Sequence, residues 1–247
     1  MDLSVYEAEY LHEMSHWWYV ERRRLFGRII RSYFPEIKKA RCADIGASTG
    51  ANLTLFSELG ALDSIGLEYQ YEAIELAKRK SSFPILQGSG ENLPFSNDSF
   101  DLVTCTDVLE HITNDDSTVR EINRVLKPGG YVLITVPAFQ SLWGHQDEVS
   151  HHLRRYTRRD IEKIVTKEGF EILESFYFNW IMFLPVWIIR LISRLVSFKM
   201  RSEGDINSPI LNKMMMFVFR LDCILARRIP FPFGVSVLVF ARSTAHT

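Results

Sequence analysis

The sequence has few cysteines, little net charge and no targeting signal, and each of these absences excludes a class of protein. Cys42, Cys105 and Cys223 show no paired spacing, so we expect buried thiols in a reducing compartment rather than disulfides or a metal cluster. The formal net charge is -1, and without a global positive field no nucleic acid partner is expected. The N-terminus is acidic and aromatic rather than basic and then apolar, so no signal peptide is expected.

Long apolar runs are also missing. The longest uncharged run, residues 175–189, has 15 residues, whereas a transmembrane helix needs about 20. Arg190 and Arg194 follow this run at once. We therefore expect a cytoplasmic protein, either free or held peripherally at the inner face of the membrane.

A strand–turn–helix pattern near residue 46 is the most informative feature that is present. The stretch 40–45, which is apolar except for Arg41 and Asp44, breaks into small residues and then enters a helical pattern. Gly46 and Gly50 lack a β-carbon, so the backbone can approach a ligand closely there. Glu68 ends a second apolar stretch, where a carboxylate can accept both hydroxyls of a ribose. Together these residues predict a site for an adenosine-containing cofactor.

Three further segments extend this pattern. They are residues 87–101 (QGSGENLPFSNDSFD), 106–112 (TDVLEHI) and 126–130 (LKPGG). With the first turn they resemble class I S-adenosylmethionine-dependent methyltransferases, densely over residues 41–136. A nicotinamide-binding enzyme would more usually show G-x-G-x-x-G where this chain has G-x-S-x-G. The resemblance implies an α/β, Rossmann-like, seven-stranded sheet with helices on both faces, and S-adenosylmethionine as the cofactor.

The order of strands and helices predicts three parts. Residues 1–35 contain two helices and form a predicted N-terminal lid. Residues 36–178 and 234–247 form the methyltransferase core, because strands near 41–46, 64–68, 84–87, 101–105 and 131–136 alternate with helices, as in a parallel sheet. Residues 179–233 form an apolar helical insertion before the last strand, inside a hairpin that the family usually closes with a short loop.

The insertion has two apolar helical patterns rich in basic residues. We expect amphipathic helices that contact a membrane surface or a lipid substrate. The alternative is a cap over the active site or a homodimer interface. In the membrane hypothesis the side chains that meet lipid are Trp180, Phe183, Trp187, Met215 and Phe219, and those that meet headgroups are Arg190, Arg194, Arg227 and Arg228.

The resemblance also implies a set of cofactor-binding residues. The first-turn residues should line the methionine part and ribose, Glu68 should hold the ribose hydroxyls, and Asp44 should lie near the ammonium group. The family usually has glycine at Ser48 and aspartate at Ser89, and these departures leave open a weaker or degenerate site. The implied residues are Asp44, Gly46, Ala47, Ser48, Gly50, Glu68, Tyr69, Ser89, Gly90, Thr106 and Asp107.

Methyl transfer requires mainly alignment of the acceptor behind the methyl group, sometimes with a base. His111 and His152 are the candidate catalytic bases. Arg154 and Arg155 either bind an anionic group of the acceptor or form a salt-bridged cap with Asp160. The predicted acceptor-binding residues are Trp17, Trp18, Trp143, Arg154, Arg155 and Tyr156.

Two alternatives concern individual side chains. Trp17 and Trp18 are either part of the lid or plain core. Adjacent His151 and His152 point apart on most backbones, so no metal site is predicted.

The segments His16-Trp17-Trp18 and Arg154-Arg155-Tyr156 resemble a subgroup associated with glycan or polyprenyl-lipid pathways. The first hypothesis is therefore O-methylation, ahead of C- or N-methylation, of a lipid-linked or amphiphilic small molecule or glycan. The second is a soluble small-molecule methyltransferase whose insertion forms a dimer interface or pocket. The third is a non-catalytic cofactor-binding protein, which Ser48 and Ser89 would favour.

Overall fold

The computed structural model describes residues 2–196 and 208–244, and its centre is one seven-stranded sheet. The strands are β1 Arg41–Ile45, β2 Asp63–Glu68, β3 Ile85–Gln87, β4 Phe100–Thr106, β5 Leu126–Pro137, β6 Phe170–Phe178 and β7 Ser236–Ser243. Their order is β3-β2-β1-β4-β5-β7-β6. The first five strands are parallel, and β7 runs antiparallel between β5 and β6. This architecture confirms the predicted fold.

Helices cover both faces of the sheet. They are α1 Leu3–His12, α2 Trp17–Tyr33, α3 Ala51–Leu59, α4 Tyr71–Lys78, α5 Asp115–Val125, α6 His145–Val149, α7 Arg158–Lys167, α8 Phe183–Val196 and α9 Pro209–Ala226. The short α6 was not predicted, because five residues are too few to show a helical period.

The central strands are buried on both faces, as expected of a parallel sheet. Alternate side chains point to opposite faces, so Val103 and Ile134 join one apolar core while Leu102 and Leu133 join the other. The first core lies under α5 and α7, and the second lies under α2, α3 and α9. The cores hold the carboxyl ends of β1, β2, β4 and β5 at one edge of the sheet.

The predicted insertion forms two helices, α8 and α9, and both pack against the core. Asp222 of α9 accepts hydrogen bonds from the backbone N–H groups of Asn179 and Ile181, at 2.7 and 2.9 Å. Residues 197–207 of the insertion lie outside the described residues. Across the described part of the chain, no helix is long and apolar enough to cross a membrane.

The structure corrects most of the residues expected to face lipid. Phe219 is buried among aromatic side chains, and Trp180 stacks on Phe231 with ring centroids 4.0 Å apart. Phe183 packs against Phe139 and Phe233. Met215 is half-buried against the second core, and only Trp187 of the five is exposed. Helical spacing predicted these helices but not which of their faces meets the sheet.

The basic residues of the insertion also differ from the expectation. Arg190 is buried and bonds to Asp147, and Arg227 pairs with Glu174. Arg228 is exposed, and the side chain of Arg194 lies outside the described part. Headgroup binding by Arg190 is therefore wrong, because its guanidinium group is buried within the protein. Headgroup binding by Arg227 stays a prediction.

Candidate active site

One large cavity opens at the carboxyl ends of the parallel strands. It lies where the sheet order reverses between β1 and β4, the usual ligand position in open α/β sheets. Its volume is about 1270 Å³, above the roughly 300–1,000 Å³ of typical small-molecule pockets. This volume exceeds what one small molecule requires.

The turn after β1 forms the floor of this cavity. Gly46 and Gly50 have φ of +75° and +93°, a left-handed conformation that costs glycine little. A β-carbon on Gly46 would lie 2.3 Å from Cγ2 of Val108, so only glycine fits. Ser48 takes a φ of 45° and, with Gly46 and Ala47, lines the cavity. Serine at position 48 is therefore compatible with the turn.

Glu68 is buried at the end of β2 and organises this turn. Its Oε2 accepts the Ser48 N–H at 2.8 Å, and its Oε1 accepts the N–H groups of Tyr69 and Gln70 at 2.9 Å. Burial raises the pKa of Glu68, whereas these three N–H donors lower it. A carboxylate offers about four acceptor positions, so one remains for a ribose hydroxyl. The floor and Glu68 thus fit an adenosine-containing cofactor.

Replacing Glu68 with glutamine is expected to weaken S-adenosylmethionine binding by about 1.5–3 kcal/mol, because an amide group cannot accept all of these donors. Titration calorimetry measures this change. Glu75→Gln is the matched control, since Glu75 lies on the exposed part of α4 and pairs with Lys78. Wild-type affinity in Glu68→Gln would remove the ribose assignment, and binding of NADH instead would remove the cofactor class.

The remaining predicted cofactor residues fall into two groups. Tyr69, Ser89, Gly90, Thr106 and Asp107 line the cavity. The others, Gly50 and Asp44, lie beside it.

Asp44 lies beneath the turn, where its Oδ1 accepts hydrogen bonds from Thr104 Oγ1 at 2.6 Å and Asn52 Nδ2 at 3.0 Å. Burial raises the pKa of Asp44 to about 7, although these two hydrogen bonds lower it. Its contact with the cofactor ammonium stays a prediction.

The two N-terminal helices close the cavity through polar contacts that sequence reasoning missed. Glu9 of α1 and Glu13, the residue directly after this helix, accept hydrogen bonds from the hydroxyls of Ser48 and Thr49, each at 2.5 Å. Burial raises the pKa of Glu9 to about 7, although the Ser48 hydrogen bond lowers it. Glu9 and Glu13 are four residues apart, which places both on one side of the helical turn. This spacing is the sequence pattern from which their shared role could have been predicted.

Arg22 of α2 reaches the end of β4. Its Nη1 lies 2.6 Å from Asp107 Oδ2, and its Nη2 donates to Thr135 Oγ1 at 3.3 Å. Arg22 and Asp107 both line the cavity. The predicted border residue Asp107 is therefore held by the N-terminal helices.

His111 and His152 come together at the far end of the cavity. Their ring centroids are 4.7 Å apart and the rings are nearly perpendicular. Burial, together with His152, lowers the pKa of His111 to about 4, so His111 is neutral at neutral pH. His152 Nδ1 lies 2.8 Å from Asp147 Oδ1, which orients the imidazole with its Nε2 toward Glu110. The two histidines that were predicted from separate segments thus form one cluster with Glu110.

Asp147 is the centre of a buried ionic network behind His152. Arg155 donates to both of its oxygens, at 2.7 and 3.0 Å, and Arg190 Nη1 lies 3.0 Å from its Oδ2. Burial raises the pKa of Asp147, but the hydrogen bonds with His152 and Arg155 outweigh burial and hold this pKa well below its usual range. The insertion, through Arg190, therefore supports the histidine cluster.

Arg154 and Tyr156 lie behind the cavity wall rather than on it. Arg154 pairs with Asp115 at 3.1 Å, and the Tyr156 hydroxyl donates to the same carboxylate at 2.8 Å. Asp160 instead caps α7 together with Thr157. The alternative of a salt bridge between the arginine pair and Asp160 is therefore wrong, because Arg154 pairs with Asp115 and Arg155 pairs with Asp147. Arg155 does line the cavity, but its guanidinium is held by Asp147.

Two of the three predicted tryptophans line the cavity, and the third does not. Trp17 and Trp18 contact Phe219 with ring centroids 5.2 and 5.0 Å apart, and both also line the cavity. They are core residues whose outer edges form part of its wall. Trp143 is not among the residues that line the cavity.

Comparison with known proteins finds a methyltransferase domain within this chain. Residues 43–134 match the family model described as a methyltransferase domain. The chain is 34% identical over 131 residues to the uncharacterized methyltransferase YcgJ of Bacillus subtilis, covering 48% of this chain and 51% of that protein. It is 30% identical over 109 residues to a demethylmenaquinone methyltransferase of Corynebacterium kroppenstedtii, covering 42% and 47%. The chain thus spans about half the length of these relatives.

A solved structure from Thermotoga maritima shows the same fold. It is described as an S-adenosylmethionine-dependent methyltransferase and possible histamine N-methyltransferase. It superposes with a TM-score of 0.59 at 17% identity, over 98% of this chain and 99% of that one. At this identity the likeness supports the fold alone.

Proposed function

Because this chain carries a class I S-adenosylmethionine-dependent methyltransferase domain, we propose that it methylates an oxygen of an amphiphilic small molecule, lipid-linked or glycan-based. The match to a methyltransferase domain over residues 43–134 supports the predicted family and its cofactor, and the solved structure shows the same fold. When bound, S-adenosylmethionine supplies an electrophilic methyl group. Glu68 and the turn 46–48 would hold it, and His111 and His152 would activate the acceptor.

The shape of the cavity is the observation that carries this proposal. Its cofactor end is polar, with Glu68 and Asp107, whereas the insertion contributes an apolar wall. That wall consists of Met182, Val186, Ile189, Leu211 and Met215. An acceptor with one polar and one apolar end matches both parts. One relative is named for a quinone, demethylmenaquinone, which agrees with this class of acceptor.

Transfer of a radiolabelled methyl group tests the proposal. The full chain is incubated with labelled S-adenosylmethionine and either a lipid extract or an aqueous metabolite extract, with His152→Gln as the inactive control. Label that enters the butanol-soluble products of the lipid extract supports an amphiphilic acceptor. Label confined to the aqueous products would favour the soluble small-molecule hypothesis, and binding without transfer to either extract would favour the non-catalytic one.

The outer face of the insertion supports peripheral membrane contact. Four apolar residues of α9, Ile210, Met214, Phe217 and Leu221, are exposed, and their spacing of four, three and four residues places them on one helix face. Exposed apolar side chains also follow one another along α8, from Leu184 to Ile192. A contiguous exposed apolar patch marks a membrane or protein partner. We favour the membrane, because the same two helices line the apolar part of the cavity.

Replacing Met214 and Phe217 together with serine is expected to weaken binding to anionic phospholipid vesicles. Loss of roughly 2 kcal/mol of apolar transfer corresponds to about 30-fold in affinity. Vesicle co-sedimentation measures this effect, and Leu62→Ser, an exposed leucine just before β2, is the control. The interface alternative would be established instead if the wild-type chain did not bind vesicles and formed a dimer, and if the double variant were a monomer.

A further inference from the structure

Glu110 is a buried acid without a hydrogen-bonding partner. Its side chain is fully buried, and neither carboxylate oxygen has a hydrogen bond within the residues that the structure describes. Burying such a group costs several kcal/mol unless a cation or donors compensate it. Glu110 nevertheless lies in the wall of the cavity. A ligand bound in the cavity would therefore supply the partner that the carboxylate lacks.

Two histidine side chains lie beside this carboxylate. One ligand atom from each of Glu110, His111 and His152 lies within 4.8 Å of the other two, and His152 Nε2 is 3.9 Å from Glu110 Oε1. Ligands about 2.0–2.2 Å from one ion can be at most about 4.4 Å apart. Small side-chain rotations therefore bring the three atoms onto a common centre.

The surroundings of His152 match those of a metal ligand. Metal-binding histidines usually donate their other ring N–H to a carboxylate, which fixes the tautomer and raises ligand basicity. Asp147 takes this position at 2.8 Å from His152 Nδ1, and Arg155 and Arg190 hold Asp147 in place. The Nε2 lone pair of His152 is thereby presented to Glu110.

We propose that Glu110, His111 and His152 bind one divalent transition-metal ion at the acceptor end of the cavity. Two imidazoles and one carboxylate suit Zn²⁺ and its first-row neighbours better than Mg²⁺. Three protein ligands leave at least one position open toward the cavity. The sequence did not predict this site, because His111 and His152 lie far apart in the chain. The loop after α6 brings them together.

The role of the ion rests on the proposed function, whereas its binding does not. An open position on the ion would hold the hydroxyl oxygen of the acceptor and lower its pKa, and the released proton would pass to solvent. His111 and His152 would then act as ligands, and acceptor activation would be lost with chelation. Substrates with an ionisable oxygen, such as phenols, catechols or hydroxy acids, are the chemical class that this arrangement favours.

Titration calorimetry with ZnCl₂ on the EDTA-treated full chain tests the site, with MgCl₂ as the comparison. We expect one Zn²⁺ per chain and a rise in Tm on binding. Glu110→Gln and His111→Asn should each weaken Zn²⁺ binding by at least about 100-fold. The control His151→Gln, an adjacent exposed histidine that bonds to Asp2, should bind Zn²⁺ like the wild type.

A second readout separates loss of the site from loss of the fold. Glu110→Gln keeps the size and shape of the buried side chain, so the metal-free variant should melt close to the Tm of the metal-free wild type while losing the rise caused by Zn²⁺. Absence of saturable Zn²⁺ binding in the wild type, or equal binding in all variants, would overturn the proposal. Zn²⁺ binding without S-adenosylmethionine binding would reject the proposed function and leave the metal site in place.

Discussion

Replacing His152 with glutamine is expected to lower the turnover of methyl transfer by about 10²–10⁴-fold while S-adenosylmethionine binding is retained. The imidazole is oriented by Asp147 at 2.8 Å and faces His111 across 4.7 Å between ring centroids. Glutamine is similar in length but cannot supply a basic nitrogen at the same place. The loss is expected whether His152 removes the proton itself or acts as a ligand of the proposed ion.

Single-turnover rates and calorimetry with S-adenosylmethionine separate chemistry from binding in this experiment. His151→Gln is the matched control, because it changes the same residue type one position earlier, where the side chain is exposed and bonded to Asp2. Full activity in both His152→Gln and His111→Asn would show that alignment of the acceptor suffices. If His152→Gln is instead inactive, adding EDTA to the wild type shows which role the histidine has. EDTA lowers turnover if His152 is a metal ligand and leaves turnover unchanged if His152 is a base.

Local sequence patterns predicted the parts of the site that are built within one strand–turn–helix unit. The turn 46–50 and Glu68 lie where the spacing placed them, since Glu68 bonds to Ser48 across adjacent parallel strands. His111 and His152 were selected one by one from their segments. That they share one cluster depends on the loop after α6, whose Leu153 N–H donates to the Glu110 carbonyl at 2.7 Å.

Contacts between distant segments were not predictable in the same way. Glu9 and Ser48 are 39 residues apart, and Arg22 and Thr135 are 113 residues apart. The position of a charged residue in a helical pattern predicts which face of the helix it lies on. It does not predict which residue that face contacts. The arginine pair illustrates this limit, because Asp160 is closer in sequence to Arg154 than Asp115, yet Asp115 forms the salt bridge.

The two phenylalanines of α9 show the same limit within one helix. Phe217 and Phe219 are two residues apart, which turns them about 200° around the helix axis. Phe217 is 63% exposed, whereas Phe219 is 1% exposed. The apolar pattern of α9 is nearly continuous, so its sequence could not decide which side packs on the sheet. Contacts with α2 and β6 decide it.

Replacing Phe219 with alanine is expected to destabilise the fold by about 3–5 kcal/mol, because it removes a fully buried aromatic ring and leaves a cavity. The ring contacts Trp17 and Trp18 of α2 and Phe178 of β6, with centroids 5.2, 5.0 and 6.4 Å away. It therefore joins the insertion to the N-terminal helices and to the sheet.

Urea unfolding followed by tryptophan fluorescence measures the change, and Phe217→Ala on the same helix should stay within about 0.5 kcal/mol of the wild type. Since Trp17 and Trp18 also line the cavity, Phe219→Ala should loosen the wall next to the acceptor as well as the core. Phe217→Ala should instead affect vesicle binding alone. The opposite ranking of the two variants would mean that Phe219 faces outward and that the contact between α2 and α9 does not support the cavity wall.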